Sequence, residues 1–195
     1  MKHRIITISR QFGSGGRTIG KAVAAKLNLP CYDQNLIELF AKESGFSEEY
    51  IKNDGEHAAH KNLLSSIFSD RVYDTPYTQD VLWEAQRKVI LELAEKESCV
   101  IVGRCADFIL KDTADCLRVY IHADDEFRAN RIVEVYGERE DAPAKRIADK
   151  DKRRKAYYQK YTNTIWGDAD NYHIALDSAA LGFDTCINIL TDLYE

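Results

Sequence analysis

The residues best suited to chemistry in this sequence form a glycine-rich loop. Six consecutive positions supply backbone donors, a cation and hydroxyls: Gly13, Ser14, Gly15, Gly16, Arg17 and Thr18. Backbone N–H groups that converge at a helix N-terminus bind phosphate oxygens. Arg17 adds a planar cation that can hold phosphate through two donors, and Thr18 adds a hydroxyl suited to Mg²⁺. The loop is therefore predicted to bind phosphate, with Thr18 as the metal ligand.

The loop departs from the usual phosphate-binding pattern, G-x-x-x-x-G-K-[ST], at two positions. Arg10 stands where the first glycine is expected, and Gly16 stands where the lysine is expected. A glycine-rich turn without a ligand is the alternative interpretation. The flanking pattern favours a phosphate site, because a strand-like run at 5–8 precedes the loop and a helical pattern at 19–27 follows it.

Two further charged residues follow strand-like segments. Asp33 follows residues 29–32, and the C-terminal end of a strand is where open α/β sheets bind ligands. Capping a helix that starts at Gln34 is an equally weighted role for Asp33. Arg104 follows the apolar run 99–102 and the turn residue Gly103. Asp33 is therefore a candidate for a site at the sheet edge.

A basic segment contrasts with the acidic remainder of the chain. The whole chain has a net charge of −5, whereas residues 141–161 contain eight basic and three acidic residues. This asymmetry favours a small anionic ligand and disfavours a long polyanion such as nucleic acid. The candidates to neutralise a transferring phosphoryl group are Arg146, Lys150, Arg153 and Arg154. By contrast, Lys152, Lys155 and Lys160 are expected to be solvated.

Strand-like and helical segments alternate along the sequence. Strands are predicted at 5–8, 29–32, 99–102, 117–121 and 172–176, and helices at 19–27, 34–43, 47–53, 79–97, 124–135 and 183–193. Such alternation predicts an α/β fold with a largely parallel sheet. Its ligand crevice is expected at the C-terminal ends of the strands.

Composition limits the class of protein. The 195 residues, 45% of them hydrophobic, suit one compact domain. No apolar stretch approaches the roughly 20 residues that span a bilayer, and no signal-peptide core follows the N-terminus. Five scattered cysteines are typical of reduced thiols. These features predict a cytoplasmic protein without membrane contact, and they leave the oligomeric state open.

Four segments together resemble the cytidylate kinase-like family, a branch of the nucleoside monophosphate kinases. They are residues 8–17, 30–33, 102–107 and 149–158. The resemblance covers nearly the whole chain and is weakest at 54–77. It implies a single P-loop NTPase-type domain over 1–195, with three α/β/α layers and a central parallel sheet. It also implies a helical acceptor-binding region at about 33–97 and a basic lid at about 137–165.

The resemblance also implies roles for individual residues. Gly103 and Arg104 match the start of a Gly-Arg-Asp motif whose arginine holds the acceptor phosphate, and Cys105 occupies the aspartate position. Asp107 is the nearby candidate to replace that aspartate. Asp151 and Arg154 match an Asp-Ser-x-Arg motif of the acceptor site.

The leading hypothesis is a nucleoside monophosphate kinase. It would transfer the γ-phosphoryl group of ATP, with Mg²⁺, to CMP or dCMP. In this scheme the loop holds the donor phosphates, Arg104 holds the acceptor phosphate together with Asp33, and Arg17, Arg153 and Arg154 act in catalysis. A nucleotide-binding regulatory module that has lost catalysis, and a P-loop kinase for another small substrate, remain alternatives.

Overall fold

The computed structural model describes residues 4–33 and 76–194, with side chains described at 4–33 and 83–194. The helices predicted at 34–43 and 47–53 lie outside these residues, as does the proposed cap of a helix at Gln34. The described chain belongs to two compact units, residues 1–33 with 91–195, and residues 34–90. The prediction of a single domain, with its acceptor region and lid, stays a prediction.

Five strands form one sheet in the first unit. They are β1 (Arg4–Arg10), β2 (Cys31–Tyr32), β3 (Cys99–Val102), β4 (Asp115–His122) and β5 (Ile174–Asp177). Their order is β2-β3-β1-β4-β5, and every neighbouring pair is parallel. The predicted parallel α/β sheet is confirmed, and the C-terminal ends of all five strands lie at one edge.

Seven α-helices and one short 3₁₀-helix are present in the described residues. The α-helices are α1 (Gly16–Lys26), α2 (Pro76–Lys96), α3 (Ala106–Leu110), α4 (Asp125–Tyr136), α5 (Pro143–Thr162), α6 (Ser178–Leu181) and α7 (Phe183–Tyr194). The 3₁₀-helix covers Ala169–Asn171. Residues 76–90 of α2 are the described part of the second unit. Within the described residues, no helix combines the length and the apolar character needed to cross a bilayer.

The sheet is buried on both faces, because consecutive residues of its central strand β1 point to opposite faces and are buried. Ile6 and Ile8 of β1 join a core with Ile19 of α1 and Leu190 of α7 on one face. Thr7 and Ser9 alternate with them, and Ser9 Oγ donates to Asp107 Oδ1 of α3 at 3.3 Å on the other face. Helices therefore cover both faces of the parallel sheet.

Several element boundaries differ from those predicted. The strand predicted at 172–176 begins only at Ile174, and β2 comprises two of the four residues predicted at 29–32. Helices α3 and α6 were not predicted, because five and four residues are too short to show helical periodicity. Helix α4 was predicted at 124–135 and covers Asp125–Tyr136, where Gly137 caps it and donates from its N–H to Val133 O at 2.8 Å.

Candidate active site

The glycine-rich loop connects β1 to α1 and takes a shape that only glycine permits. Gly13 and Gly15 have φ angles of +86° and +77°, which are strained for residues with a Cβ. A Cβ at Gly13 would lie 2.8 Å from Arg128 O, and one at Gly15 would overlap the Phe183 ring. Gly15 also caps the N-terminus of α1. The loop thus places backbone donors at the positive end of a helix.

Ser14 fastens this loop to the end of β4. Its hydroxyl donates to Gln11 O at 2.9 Å and to Ile121 O at 3.1 Å, and the residue is fully buried. Ser178 Oγ in turn donates to Ser14 O at 2.6 Å. These contacts give the Ser14 side chain a positioning role. Direct ATP binding by Ser14 stays a prediction.

A buried ion pair ties the loop to α4 and α5. Asp151 accepts a hydrogen bond from Phe12 N at 2.8 Å, and its other oxygen accepts from Arg128 Nη1 at 2.6 Å. Arg128 also donates to Phe12 O at 3.3 Å and pairs with Asp125. Arg128 and Asp151 are only 5% and 7% exposed. Asp151 therefore positions the loop, while its predicted contact with an acceptor stays a prediction.

An arginine cluster lies at the C-terminal ends of the strands. It consists of Arg10 and the three arginines whose charges act on it, Arg17, Arg104 and Arg154. Arg10 Nη2 lies 3.7 Å from Asp33 Oδ1, and Arg17 forms an ion pair with the same carboxylate. Arg154 Nη1 donates to Arg10 O at 3.2 Å. Burial and then Arg154 lower the pKa of Arg10 to about 9, with Arg104 and Arg17 acting in the same direction and Asp33 opposing them. Counted over the described residues, the arginine cluster and Asp33 carry excess positive charge, which favours an anion.

The turn that carries Arg104 is strained. Gly103, Arg104 and Cys105 have consecutive φ angles of +80°, +60° and +53°. A left-handed conformation costs a residue with a Cβ about 1–2 kcal/mol, and strain of this kind concentrates at functional sites. Gly103 N donates to Ile8 O at 2.9 Å, which holds the turn against β1. The sequence singled out Arg104, but this strain is visible only in the structure.

Asp107 lies in the interior and contacts α5. The residue is 2% exposed, and it accepts from Tyr158 Oη at 2.6 Å and from Ser9 Oγ at 3.3 Å. Burial raises its pKa, while the hydrogen bond from Tyr158 is the strongest effect that opposes this. Its observed partners are protein groups. The proposed replacement of the motif's aspartate by Asp107 stays a prediction.

Asp107 should make stability depend on pH. Because the raised pKa lets the folded state keep this proton to higher pH, the free energy of unfolding falls as pH rises above about 4. Asp107→Asn is expected to reduce that fall, measured by urea unfolding at several values between about pH 4 and pH 7. The control is Asp112→Asn at an exposed carboxylate. An unchanged slope in Asp107→Asn would contradict the assignment.

The donor set around the loop does not fit a resident magnesium ion. Thr18 is exposed, but its hydroxyl accepts from Arg131 Nη2 at 2.8 Å, and Asp33 already pairs with two arginines. Cations next to these oxygens oppose a second positive charge. No cluster of three or more possible metal-binding side chains occurs among the described residues. The proposed role of Thr18 as metal ligand gains no support from these contacts.

Helix α5 presents two different faces within the basic segment. Asp151, Arg154 and Tyr158 lie on the face that contacts the loop and Asp107, whereas Arg153 is exposed. Adjacent helical residues project about 100° apart, so Arg153 and Arg154 diverge. Of the two arginines predicted to act together, the structure brings Arg154 to the arginine cluster. The catalytic role of Arg153 stays a prediction.

A cavity of about 430 Å³ lies between the loop, α4 and α5. Lys152 and Lys155 line it, together with Arg128 and Gln11. Its volume lies in the range of small-molecule sites. Both lysines are exposed, as expected for solvated side chains. They also line this cavity, whose wall carries the carboxylates Asp125 and Asp151 as well.

Comparisons with known proteins agree with this geometry. A model of the cytidylate kinase-like family matches residues 5–180. The cytidylate kinase of Archaeoglobus fulgidus is 28% identical over 194 residues, which cover 97% of this chain and 94% of that protein. The cytidylate kinase of Pyrobaculum islandicum is 27% identical, with 96% and 91% covered.

Two solved structures show the same fold. An uncharacterized protein from Eubacterium ventriosum is 27% identical with a TM-score of 0.73, and the match covers 98% of each chain. Shikimate kinase from Bacteroides thetaiotaomicron matches with a TM-score of 0.55 and also covers 98% of each chain. Its identity of 19% means that the likeness concerns the fold alone. The fold is that of the P-loop kinases.

Proposed function

The chain belongs to the cytidylate kinase-like family, and from this premise we propose that it transfers the γ-phosphoryl group of ATP to CMP or dCMP. The observation that carries the proposal is the arginine cluster at the strand ends, beside a loop shaped for phosphate. The kinases among its relatives support a phosphotransferase. The identity of the acceptor as a pyrimidine nucleoside monophosphate is the more specific part of the proposal.

The loop is the proposed donor site. Its backbone N–H groups from Gly13 to Arg17 and the N-terminus of α1 would hold the donor phosphates. Mg²⁺ would enter as part of the substrate Mg-ATP, since magnesium binds phosphates and water readily without a cage of protein ligands. The chain's own contribution is to fix the phosphates and neutralise their charge with arginines.

The Gly103–Cys105 turn is the proposed acceptor site. Arg104 lies just beyond the end of β3, near the half-buried Arg10, and would hold the phosphate of the acceptor. Phosphoryl transfer depends mainly on alignment and on neutralisation of the phosphoryl oxygens. Arg17 and Arg154 would supply that charge, with Asp33 helping to orient the acceptor. No side chain need act as general base, because the attacking phosphate oxygen is already anionic.

A nucleotide-binding module without turnover is the second candidate. Gly16 at the lysine position favours it, since that lysine usually contacts the β- and γ-phosphates. The two candidates share the loop as binding site and differ only in product formation. A direct comparison of binding with turnover therefore separates them.

The test is a phosphotransfer assay across nucleoside monophosphates. We expect ATP to phosphorylate CMP or dCMP faster than UMP, AMP or GMP, with the diphosphate measured by chromatography. Arg104→Ala, purified in the same way, controls for contaminating kinases and should lose most of the activity. Turnover of none of the monophosphates would contradict the kinase proposal. ATP binding by calorimetry without product would favour the second candidate.

A further inference from the structure

We infer that Arg10 supplies the phosphate-binding cation that lysine supplies in the usual loop. The two deviations are then a linked exchange, in which the arginine at position 10 requires the glycine at position 16. The inference rests on the proposed function in taking the glycine-rich loop as the donor-phosphate site. It assigns a ligand role to a residue that the sequence pattern marked only as a deviation.

Steric contact links the two positions. A Cβ added at Gly16 would lie 2.5 Å from Arg10 Cβ and 3.0 Å from Arg10 Cγ. Optimal carbon–carbon contacts are about 3.5–4.0 Å. The clash involves the base of the arginine side chain, which cannot swing away as its flexible end can. A lysine at position 16 is therefore incompatible with Arg10 on its observed path.

The arginine head reaches from the loop to the Gly103 turn. A Cβ at Gly103 would overlap the Arg10 guanidinium, so glycine is needed there to admit it. Arg10 thus begins beneath the first residue of α1 and ends beside the residue that precedes Arg104. This path places its charge between the proposed donor and acceptor sites, where the transferring phosphoryl group would lie.

The local charge balance favours an incoming anion. Among residues 4–33 and 83–194, Asp33 is the anion that raises the pKa of Arg10. It lies 3.7 Å away, beyond hydrogen-bond distance, and also pairs with Arg17. Arg154, Arg104 and Arg17 all repel the Arg10 charge. A phosphate in this position would relieve the repulsion. The free protein therefore holds Arg10 in an environment that costs stability, and ligand binding would offset that cost.

The experiment exchanges the two residues. Arg10→Gly, Gly16→Lys and the double variant Arg10→Gly/Gly16→Lys are compared for affinity toward inorganic tripolyphosphate and Mg-ATP, by calorimetry. Each single variant should weaken tripolyphosphate binding about 10- to 100-fold, in line with the loss of a charged phosphate contact. The double variant should bind at least tenfold better than Arg10→Gly. A double variant no tighter than Arg10→Gly would overturn the linked exchange.

A second variant guards against misfolding. Arg10→Met keeps the side-chain stem and removes the charge, so it should fold with a melting temperature at or above that of wild type while losing the same affinity. A structural ion pair with Asp33 would instead lower the melting temperature and leave binding intact, which would overturn the inference. Lys26→Met, at the other end of α1 where Lys26 bonds Asn188, is the matched control.

The readouts separate this inference from the proposed function. If wild type phosphorylates CMP and Arg10→Met binds and turns over equally well, the role of Arg10 is overturned while the kinase proposal stands. Binding without turnover would contradict the kinase proposal, and the affinities of the variants would still decide the role of Arg10. Failure of wild type to bind either tripolyphosphate or Mg-ATP would overturn both.

Discussion

Arg104→Gly is expected to lower kcat/KM for the acceptor about 10²- to 10³-fold, as removal of one preorganised charge-stabilising donor does, without lowering stability. Arg104 has a φ of +60°, and glycine adopts this conformation without the steric cost of a Cβ. The greater freedom of glycine in the unfolded chain offsets part of the gain. The free energy of unfolding should therefore remain equal or rise by up to about 1 kcal/mol.

The matched control for this substitution is Asn28→Gly. Asn28 has a φ of +54° just beyond the end of α1, and it is exposed. It should share the stability effect and leave turnover unchanged. Steady-state kinetics and urea unfolding of both variants decide the matter. Full activity in Arg104→Gly would remove Arg104 from the acceptor site, and a large loss of stability would refute the strain assignment.

Asp151→Asn is expected to destabilise the protein by about 3 kcal/mol, because it leaves the buried Arg128 without its principal partner. Arg128 keeps its ion pair with Asp125 in this variant, which limits the loss, although the pair is weakened because Asp125 is exposed. The amide can still accept from Phe12 N but carries no charge. Urea unfolding measures the change, and weaker ATP protection against thermal unfolding should accompany it because the loop loses an anchor.

Asp141→Asn is the control for Asp151→Asn. Asp141 precedes α5 and forms an exposed ion pair with Lys145 of that helix, and exposed pairs of this type contribute little. It should leave stability unchanged. Removing both charges, as Arg128→Met/Asp151→Asn, should recover stability relative to Asp151→Asn, because no unpaired charge is left and Phe12 N keeps its acceptor. A small effect of Asp151→Asn, or no recovery in the double variant, would contradict the buried-pair interpretation.

The parallel sheet could be predicted because its evidence is local. Buried runs such as residues 5–8 and 99–102, separated by long helical patterns, define a parallel α/β fold from the sequence alone. Helix α3 was missed since its five residues are fixed by the Gly103–Cys105 turn and by burial, neither of which has a periodic signature.

The site was predicted in part, and the missed part depends on contacts between distant positions. The glycines of the loop are recognisable by type, and positive φ angles confirm that Gly13 and Gly15 are required. The role of Arg10 depends on its path past Gly16 to Gly103, which the order of residues does not show. Asp151 reaches a partner 139 residues away in Phe12, so its anchoring role required the structure.

The basic segment shows the same division. Its net positive charge was evident from composition, and charge alone made Arg153 and Arg154 equivalent. Helical geometry separates them, because α5 turns Arg154 toward the loop and leaves Arg153 exposed. The segment also carries two anchors, Asp151 and Tyr158. A lid that closes would therefore have to move about a helix that is held to the core on one face.

A crystal structure of the protein with ADP and CMP tests the central claim most directly. The account predicts the β-phosphate of ADP within hydrogen-bond distance of the backbone N–H groups at 13–17. It also predicts the CMP phosphate on Arg104, with Arg10 between the two ligands. A nucleotide phosphate bound away from the glycine-rich loop would contradict the account, whatever the activity of the protein.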